Sequence, residues 1–324
     1  MKHYLILILL FSTALISCGS QVSQRELNKQ EISAAAVIKL INSGKPVVLT
    51  DKIITGDIDF TQLKNSVREN QSTTRAYVDV PLSFVRCTFN GKIISSGAGN
   101  ENSFIRTRFN RSVVFDSCIF SEEVSFRESE IYGLCDFTKA VFSKKADFAG
   151  MYFGCKDVYF TEASFNAEAY FNDCRFQGNV MFFKAFFKDN AFFQNVSFSG
   201  NVNAASAVFN GYTDFSNTVI GGVLNMNYAK SNKKLLFNQM RCLGRADFIQ
   251  MQFSGSTEIK ESVFMAMTRF TEAVFNGKIH IKDVLLLNKN SNFESIQKTA
   301  EGEVLLENLR IISSDEILDF NYSK

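Results

Sequence analysis

The chain has 324 residues, is 46% hydrophobic, and carries 34 Phe, 2 Pro and no Trp. Lys+Arg 35 against Asp+Glu 33 leaves it near neutral, which excludes the domain-wide basic excess of a nucleic-acid-binding protein. With 2 His in all, no Ser-His-Asp set can be spread over alternative positions.

Lys2 and His3 form a short polar start, and Leu5 to Ile16 is almost wholly apolar. This is the layout of a secretory signal, too short to span a bilayer comfortably. "LISC" at Leu15 to Cys18 resembles a bacterial lipobox. The resemblance implies cleavage before Cys18, acylation of Cys18, and a mature protein held to a membrane by its N-terminal lipid. Gly19 is not the aspartate that retains enteric lipoproteins in the inner membrane, so the implied address is the outer membrane of the cell envelope, facing the periplasm or the cell surface. A plain cleavable signal with an incidental cysteine is the alternative. Residues 1–17 then form the signal peptide, and 18–27 the lipid-attachment site and a polar tether.

Residues 28–45 predict an amphipathic helix. Asn28 can cap it with Glu31 three residues on, Ile32, Ala36, Val37, Leu40 and Ile41 share one face, and Gly44 with Pro46 stops it. The β segment "VVLTDKIITGDIDF" follows directly, so residues 28–60 read as an N-terminal capping helix with the first strands.

From Phe104 onward the spacing of phenylalanine fits neither the period of a helix nor that of a strand. Phe104, Phe115, Phe126, Phe137 and Phe148 lie eleven apart; after one extra residue near Cys155 the series resumes at Phe160 and runs to Ile281. A second series lies five residues after the first, from Phe109 through Phe165, Phe187 and Phe209 to Leu286, and only Ser231 places a clearly polar residue in the register. Alternating steps of five and six can aim every ring at one interior only if the chain turns a corner at each step. Two residues before each ring the side chain is small or β-branched, as at Ala140, Ala163 and Val180; Cys87, Cys118, Cys135 and Cys174 occupy the same slot and read as interior fillers. Glycine recurs in the six-residue step, as at Gly133, Gly178, Gly211 and Gly255, and is expected to supply a positive φ at that corner.

This pattern resembles the pentapeptide-repeat proteins in a Phe-rich variant, with "ADFAG" at Ala146 to Gly150 and "ADFIQ" at Ala246 to Gln250 as family-like repeats. The resemblance spans roughly residues 84 to 287, with an echo in "GDIDF" at Gly56 to Phe60. It implies an all-β, right-handed quadrilateral parallel β-solenoid, here with about 22 residues per coil, because a residue is added at every second corner. A right-handed helical coiled coil also has an eleven-residue period, but wants Leu, Glu and Lys. A three-sided β-helix has less regular faces. Some eight to ten coils are expected over residues 61–287, with residues 288–324, including "EVLLENLRII", closing the C-terminal edge.

No catalytic residue, metal site or cofactor is expected. Loss of the signal leaves His280 alone, pointing outward beside Ile281. The cysteines show no paired C-x-x-C spacing and do not lie 22 residues apart, so no disulfide ladder is expected. Asp136, Asp147, Asp214 and Asp247 each precede an inward ring, where a glycosidase-type pair is conceivable but the family's repeat has Asp or Asn for structure. DNA mimicry, known in the family, needs a strongly acidic stripe that this chain lacks.

The surface remains. Tyr170 and Phe192 should stack in adjacent coils, as should Tyr159 and Met181, and with Phe183 and Phe186 they predict an outward apolar band that is either a stabilising ladder or a partner site. "YAKSNKKLLF" reads as a bulged loop around Ser231, in which Lys230, Lys233 and Lys234 offer a basic contact for anionic lipid headgroups or glycans, or simply a solvated loop. The expected function is a lipid-anchored, non-enzymatic scaffold or protein-interaction module. Its partners would be the membrane, through the lipid, and an unknown envelope protein or a second copy, but no nucleic acid. The alternative is a carbohydrate-binding or carbohydrate-processing β-helix.

Overall fold

The structure, a computed structural model, describes residues 30–99, 103–291, 302–312 and 317–323. The signal segment, Cys18 and Asn28 lie outside them. Short strands of two to four residues succeed one another at corners and stack coil upon coil into four parallel columns. Face one holds ten strands, from Val47–Thr50 to Thr268–Arg269; face two holds eleven, from Gln30–Ser33 to Val274–Phe275. Faces three and four join in one sheet of 24 strands. The result is a four-sided parallel β-solenoid. Coiling begins earlier than expected, at Val47–Thr50, within the stretch read as the cap and first strands.

The register fixes the coil at 22 residues through most of the rod, as in Val113↔Cys135, Val180↔Val202 and Leu224↔Ala246. Cys135 pairs with Val158, so the one extra residue falls at the Cys155 corner. Two coils near the N-terminus are longer, from Val47 to Leu82 and from Leu82 to Val113. Each extrudes a hairpin: Ser66–Arg68 pairs antiparallel with Thr73–Val78, and Ser96–Ala98 with Phe104–Phe109. The two hairpins join through parallel pairing of Thr73–Val78 with Phe104–Phe109, making a four-stranded ledge. Arg75 binds Glu69 and Glu130 across it. Phe104 therefore lies in the ledge, half-buried under Arg106, and the inward slot expected for it belongs to Ser95, one coil from Phe126.

Inside, the rings stack within each face and meet edge-on between faces. On face two, centroids are 5.0 Å apart from Phe120 to Phe142, 4.8 Å to Phe165, 4.7 Å to Phe187 and 5.0 Å to Phe209. Between faces, Phe148 meets Phe160 at 78°. Each ring removes its apolar surface from water, about 1.5–3 kcal/mol, and each ring pair adds roughly 0.5–1.5 kcal/mol. The ladders falter around one level of the rod. Ala204 and Met226 interrupt face one, Ser231 face two, and Ile220 with Cys242 face four, while Phe215 and Phe237 remain stacked at 5.5 Å on face three. There Met240 fills the small slot two residues before Cys242, exchanging the volumes of the two inward positions.

The corners correct the glycine reading. Left-handed φ recurs every eleven residues at the five-residue corner, on non-glycine residues apart from Gly150: Asp173, Lys184, Asn195, Ser206 and Asn217 have φ of 61°, 56°, 60°, 57° and 58°. The six-residue-corner glycines do not lie in that region; a Cβ on Gly178 would sit 1.7 Å from Lys156 O, and on Gly255 2.0 Å from Lys233 O. Glycine is there because the backbone of the preceding coil passes too close for a side chain.

Helix Ala34–Asn42 seals the N-terminal end, burying Ala34, Val37 and Ile41 against the first coil. It starts later than expected. Gln30–Ser33 is a strand paired with Lys52–Thr55, and Ser33 caps the helix by accepting from Ala36 N at 3.2 Å. Ile32 is thus in the strand, and Ala36 faces solvent. Gly44, at φ 71°, ends the helix in a Schellman arrangement, with Gly44 N donating to Ile41 O and Lys45 N to Leu40 O. At the other end Val304–Ile312 runs parallel to the last coil across faces three and four, and Ile317–Ser323 pairs antiparallel on its far side.

Phe171 stacks at 5.0 Å on both Phe148 and Phe193. Phe171→Ala should therefore cost about 3–5 kcal/mol in equilibrium urea unfolding. At the corners, Gly178→Ala should destabilise, whereas Lys184→Gly should be neutral or stabilise by up to about 1 kcal/mol, since it relieves a left-handed residue. The reverse order in thermal melts would restore the original glycine reading.

Candidate functional site

The 22-residue register turns the surface into columns, and the sequence-derived candidates can be placed on it. Tyr170 and Phe192 do stack, at 4.8 Å and 20°, on face three. Tyr159 and Met181 are paired on face one, Phe183 lies at the corner that follows, and Phe186 is on face two. The six side chains are half-buried and wind around three sides, so they do not form one flat band.

The basic segment is not a bulged loop. Lys230–Ser231 is a strand in register between Phe209 and Phe253, with Ser231 buried in its interior slot and its hydroxyl near Lys233 O at 3.3 Å. A small polar side chain is tolerated there because a backbone carbonyl accepts its proton. Lys230 points out from face two, separated from the other two lysines, which turn the next corner.

At that corner, between faces two and three, lies an open groove of ≈ 550 Å³. Three columns line it: Asn166, Lys188 and Asn210; Asp189, Gly211 and Lys233; Asn190, Tyr212 and Lys234. Gly211 is at the centre, and its missing side chain opens the floor between Asp189 on the coil before and Lys233 on the coil after. The close approach that demands glycine is seen directly, since a Cβ would lie 2.3 Å from Asp189 C.

Hydrogen bonds along the columns hold the walls. Asn190 Oδ1 accepts from Tyr212 N at 3.0 Å, Asn210 Oδ1 from Asn232 Nδ2 at 2.6 Å, and Asp189 Oδ1 from Asn190 N at 2.8 Å. Tyr212 Oη donates to Asp214 Oδ2 at 2.7 Å, and burial together with this carboxylate raises the phenol well above its usual range. Phe192 leans on the Tyr212 ring at 6.1 Å, so the aromatic ladder ends at the groove wall. Lys234 Nζ and Lys260 Nζ each reach Glu258 at 2.8 Å, and these two bonds hold that carboxyl at about 2. Lys188 and Lys233 have no ion partner among the described residues.

Sequence reasoning found Lys233 and Lys234 but missed Lys188, Asn190 and Tyr212. Stepping back by one or two coils of 22 from the lysines reaches Asp189, Asn190 and Tyr212, so the signal was present in the register.

The candidate carboxylates serve the backbone. Asp136, Asp147 and Asp214 each accept from the amide two residues on, at 2.8, 3.1 and 2.8 Å, which stabilises the turn into the corner. On Asp247, burial acts to raise the pKa, but the guanidiniums of Arg269 and Arg245 at 2.6 and 2.8 Å outweigh it and keep the carboxyl below its usual range. His280 faces outward and meets Glu307 at 3.2 Å, where Lys282 also binds.

The described cysteines are buried. Burial pushes the Cys155 thiol to about 11 and the Cys242 thiol to about 12. One pair does lie one coil apart: in the longer coil, the Thr88↔Ile119 register sets Cys118 beside Cys87, and burial first, then the contact with Cys87, raises the Cys118 thiol strongly. Among the described residues no group of three or more His, Cys, Asp or Glu is disposed to hold a metal ion, and no helix is long and apolar enough to cross a membrane.

The lysine clamp on Glu258 has a measurable consequence. Its folded value lies below the ordinary one, so its stabilisation is complete above about pH 5 and is lost as pH falls towards 2. The urea midpoint of Glu258→Gln should therefore fall less than that of the native chain between about pH 6 and pH 3. Equal falls would show that the clamp contributes nothing.

No curated protein and no solved structure matches the chain. Residues 104–151 match the family model described as pentapeptide repeats (9 copies), a stretch that begins in the ledge strand Phe104–Phe109 and continues into the regular coils. That match and the coil geometry together support a pentapeptide-repeat β-helix.

Proposed function

We propose that the protein is a non-enzymatic scaffold or interaction module of the bacterial cell envelope, lipid-anchored through Cys18 at the outer membrane. The observation that best supports a non-catalytic role is how the polar side chains are used. The carboxylates before the inward rings cap corners or bind arginines, the lone outward histidine is tied to Glu307, and the buried thiols are held protonated. Reactive groups elsewhere recruited for chemistry are here engaged in keeping the coils in register.

The address rests on the apolar run Leu5 to Ile16 and on "LISC". A stiff rod beginning a short polar tether away from a lipid presents fixed side-chain columns at a set distance from the membrane. Such a surface suits an envelope protein or a second copy as partner.

Cells fed an alkyne-bearing fatty acid should incorporate it into the native protein, and Cys18→Ser should abolish the label on a gel. Labelling is the readout because an uncleaved signal alone can hold the variant at a membrane. Label retained by Cys18→Ser, or never acquired by the native protein, would reject the anchor.

A further inference from the structure

We propose that the groove centred on Gly211 binds an anionic saccharide chain, one bearing carboxylate or phosphate groups. The two lining lysines without an ion partner among the described residues, Lys188 and Lys233, flank the Gly211 floor on different coils. Two coils separate them, and the strands of neighbouring coils are about 4.8 Å apart. That interval is close to the advance of one sugar unit, so the columns offer one contact row per unit. Asn190 is engaged by Tyr212 N and Glu168, but Asn166 and Asn210 use only their amide oxygens, on Ser164 Oγ and Asn232 Nδ2, which leaves their NH2 groups to donate to sugar hydroxyls. Tyr212 supplies a ring face for sugar C–H groups, and its hydroxyl is fixed on Asp214. Lys234 is already neutralised by Glu258, and Asp189 is the one carboxylate in the lining, so the free positive charge is concentrated at Lys188 and Lys233.

Apart from Gly211 and Tyr212, every lining residue carries an amide, an ammonium or a carboxylate, which disfavours an apolar peptide anchor. The chain's near-neutral total charge disfavours a nucleic acid, whose binding needs many phosphate contacts. A saccharide with spaced charges needs only what the groove has. The proposal does not depend on the envelope reading, because the groove can be tested on purified protein whatever its address.

Full-length protein in detergent micelles is titrated calorimetrically with oligogalacturonate, with neutral dextran oligomers, with vesicles containing lipopolysaccharide, and with phosphatidylglycerol vesicles. Binding of oligogalacturonate, of lipopolysaccharide, or of both, and weakened at least tenfold by Lys188→Gln with Lys233→Gln, is the expected result. Which of the two binds tells a free polymer from a lipid-linked sugar. Lys156→Gln, at an exposed corner on the opposite side, should change nothing, and unchanged thermal midpoints certify that the variants are folded. Three outcomes overturn the proposal: equal binding of dextran, equal binding of phosphatidylglycerol, or full binding by the double variant.

Discussion

Adjacent strands in a parallel stack are separated by about 4.8 Å, and aromatic rings prefer centroid separations that begin near the same distance. That coincidence governs this rod. Phe142, Phe165 and Phe187 stack at 4.8 and 4.7 Å because their strands pair at that pitch, so hydrogen bonding and ring packing advance in phase. Each face admits one ring per coil, the rings of neighbouring faces meet edge-on, and the inward slot two residues earlier must stay small. A coil of different length keeps both ladders in step only because its extra residues are taken up at a corner or in a hairpin, as between Phe142 and Phe165 and between Phe84 and Phe115.

This constraint explains what could be read from the sequence. A ring that must recur once per side per coil leaves a period, and the period reveals the solenoid, the coil length and the insertion at Cys155. Phe104 matched the spacing by chance of number, because a hairpin replaced the corner ahead of it. Ser231 looked like a break because its residue type is wrong for a core, yet pairing on both sides and one carbonyl keep it in place. Glycine misled for a physical reason: it satisfies both positive φ and close approach, and a sequence does not distinguish them. The left-handed corners went unseen since residues as different as Lys184, Asn195 and Ser206 adopt them, held by the stack rather than by their own preference. The groove was half legible, because its lysines form a run while its other walls are neighbours only across coils.

The outer surface follows from the same register. Residues 22 apart are vertical neighbours, so a substitution at one corner alters the space beneath the next. Gly211 is required by the backbone of the coil before it, and the same absence of a side chain opens a recess between Asp189 and Lys233. A packing requirement inside the wall thus produces a recess outside it, with Phe192 and Tyr212 bringing the aromatic ladder to its edge.

The level at which the ladders falter divides the interior into two aromatic columns. Below it the rings of faces two and three run unbroken to Phe209 and Phe215; above it rings resume at Phe248 and Phe253. Among the described residues the ring contacts that connect them pass through Phe215, Phe237 and Phe248 alone. Mechanically the rod is two stiff beams spliced at one side, with softer methionine, serine and cysteine filling the rest of the joint. Bending compliance concentrates in that splice, and because Lys188 and Lys233 sit on coils that straddle its near edge, whatever spans them would act as an external brace.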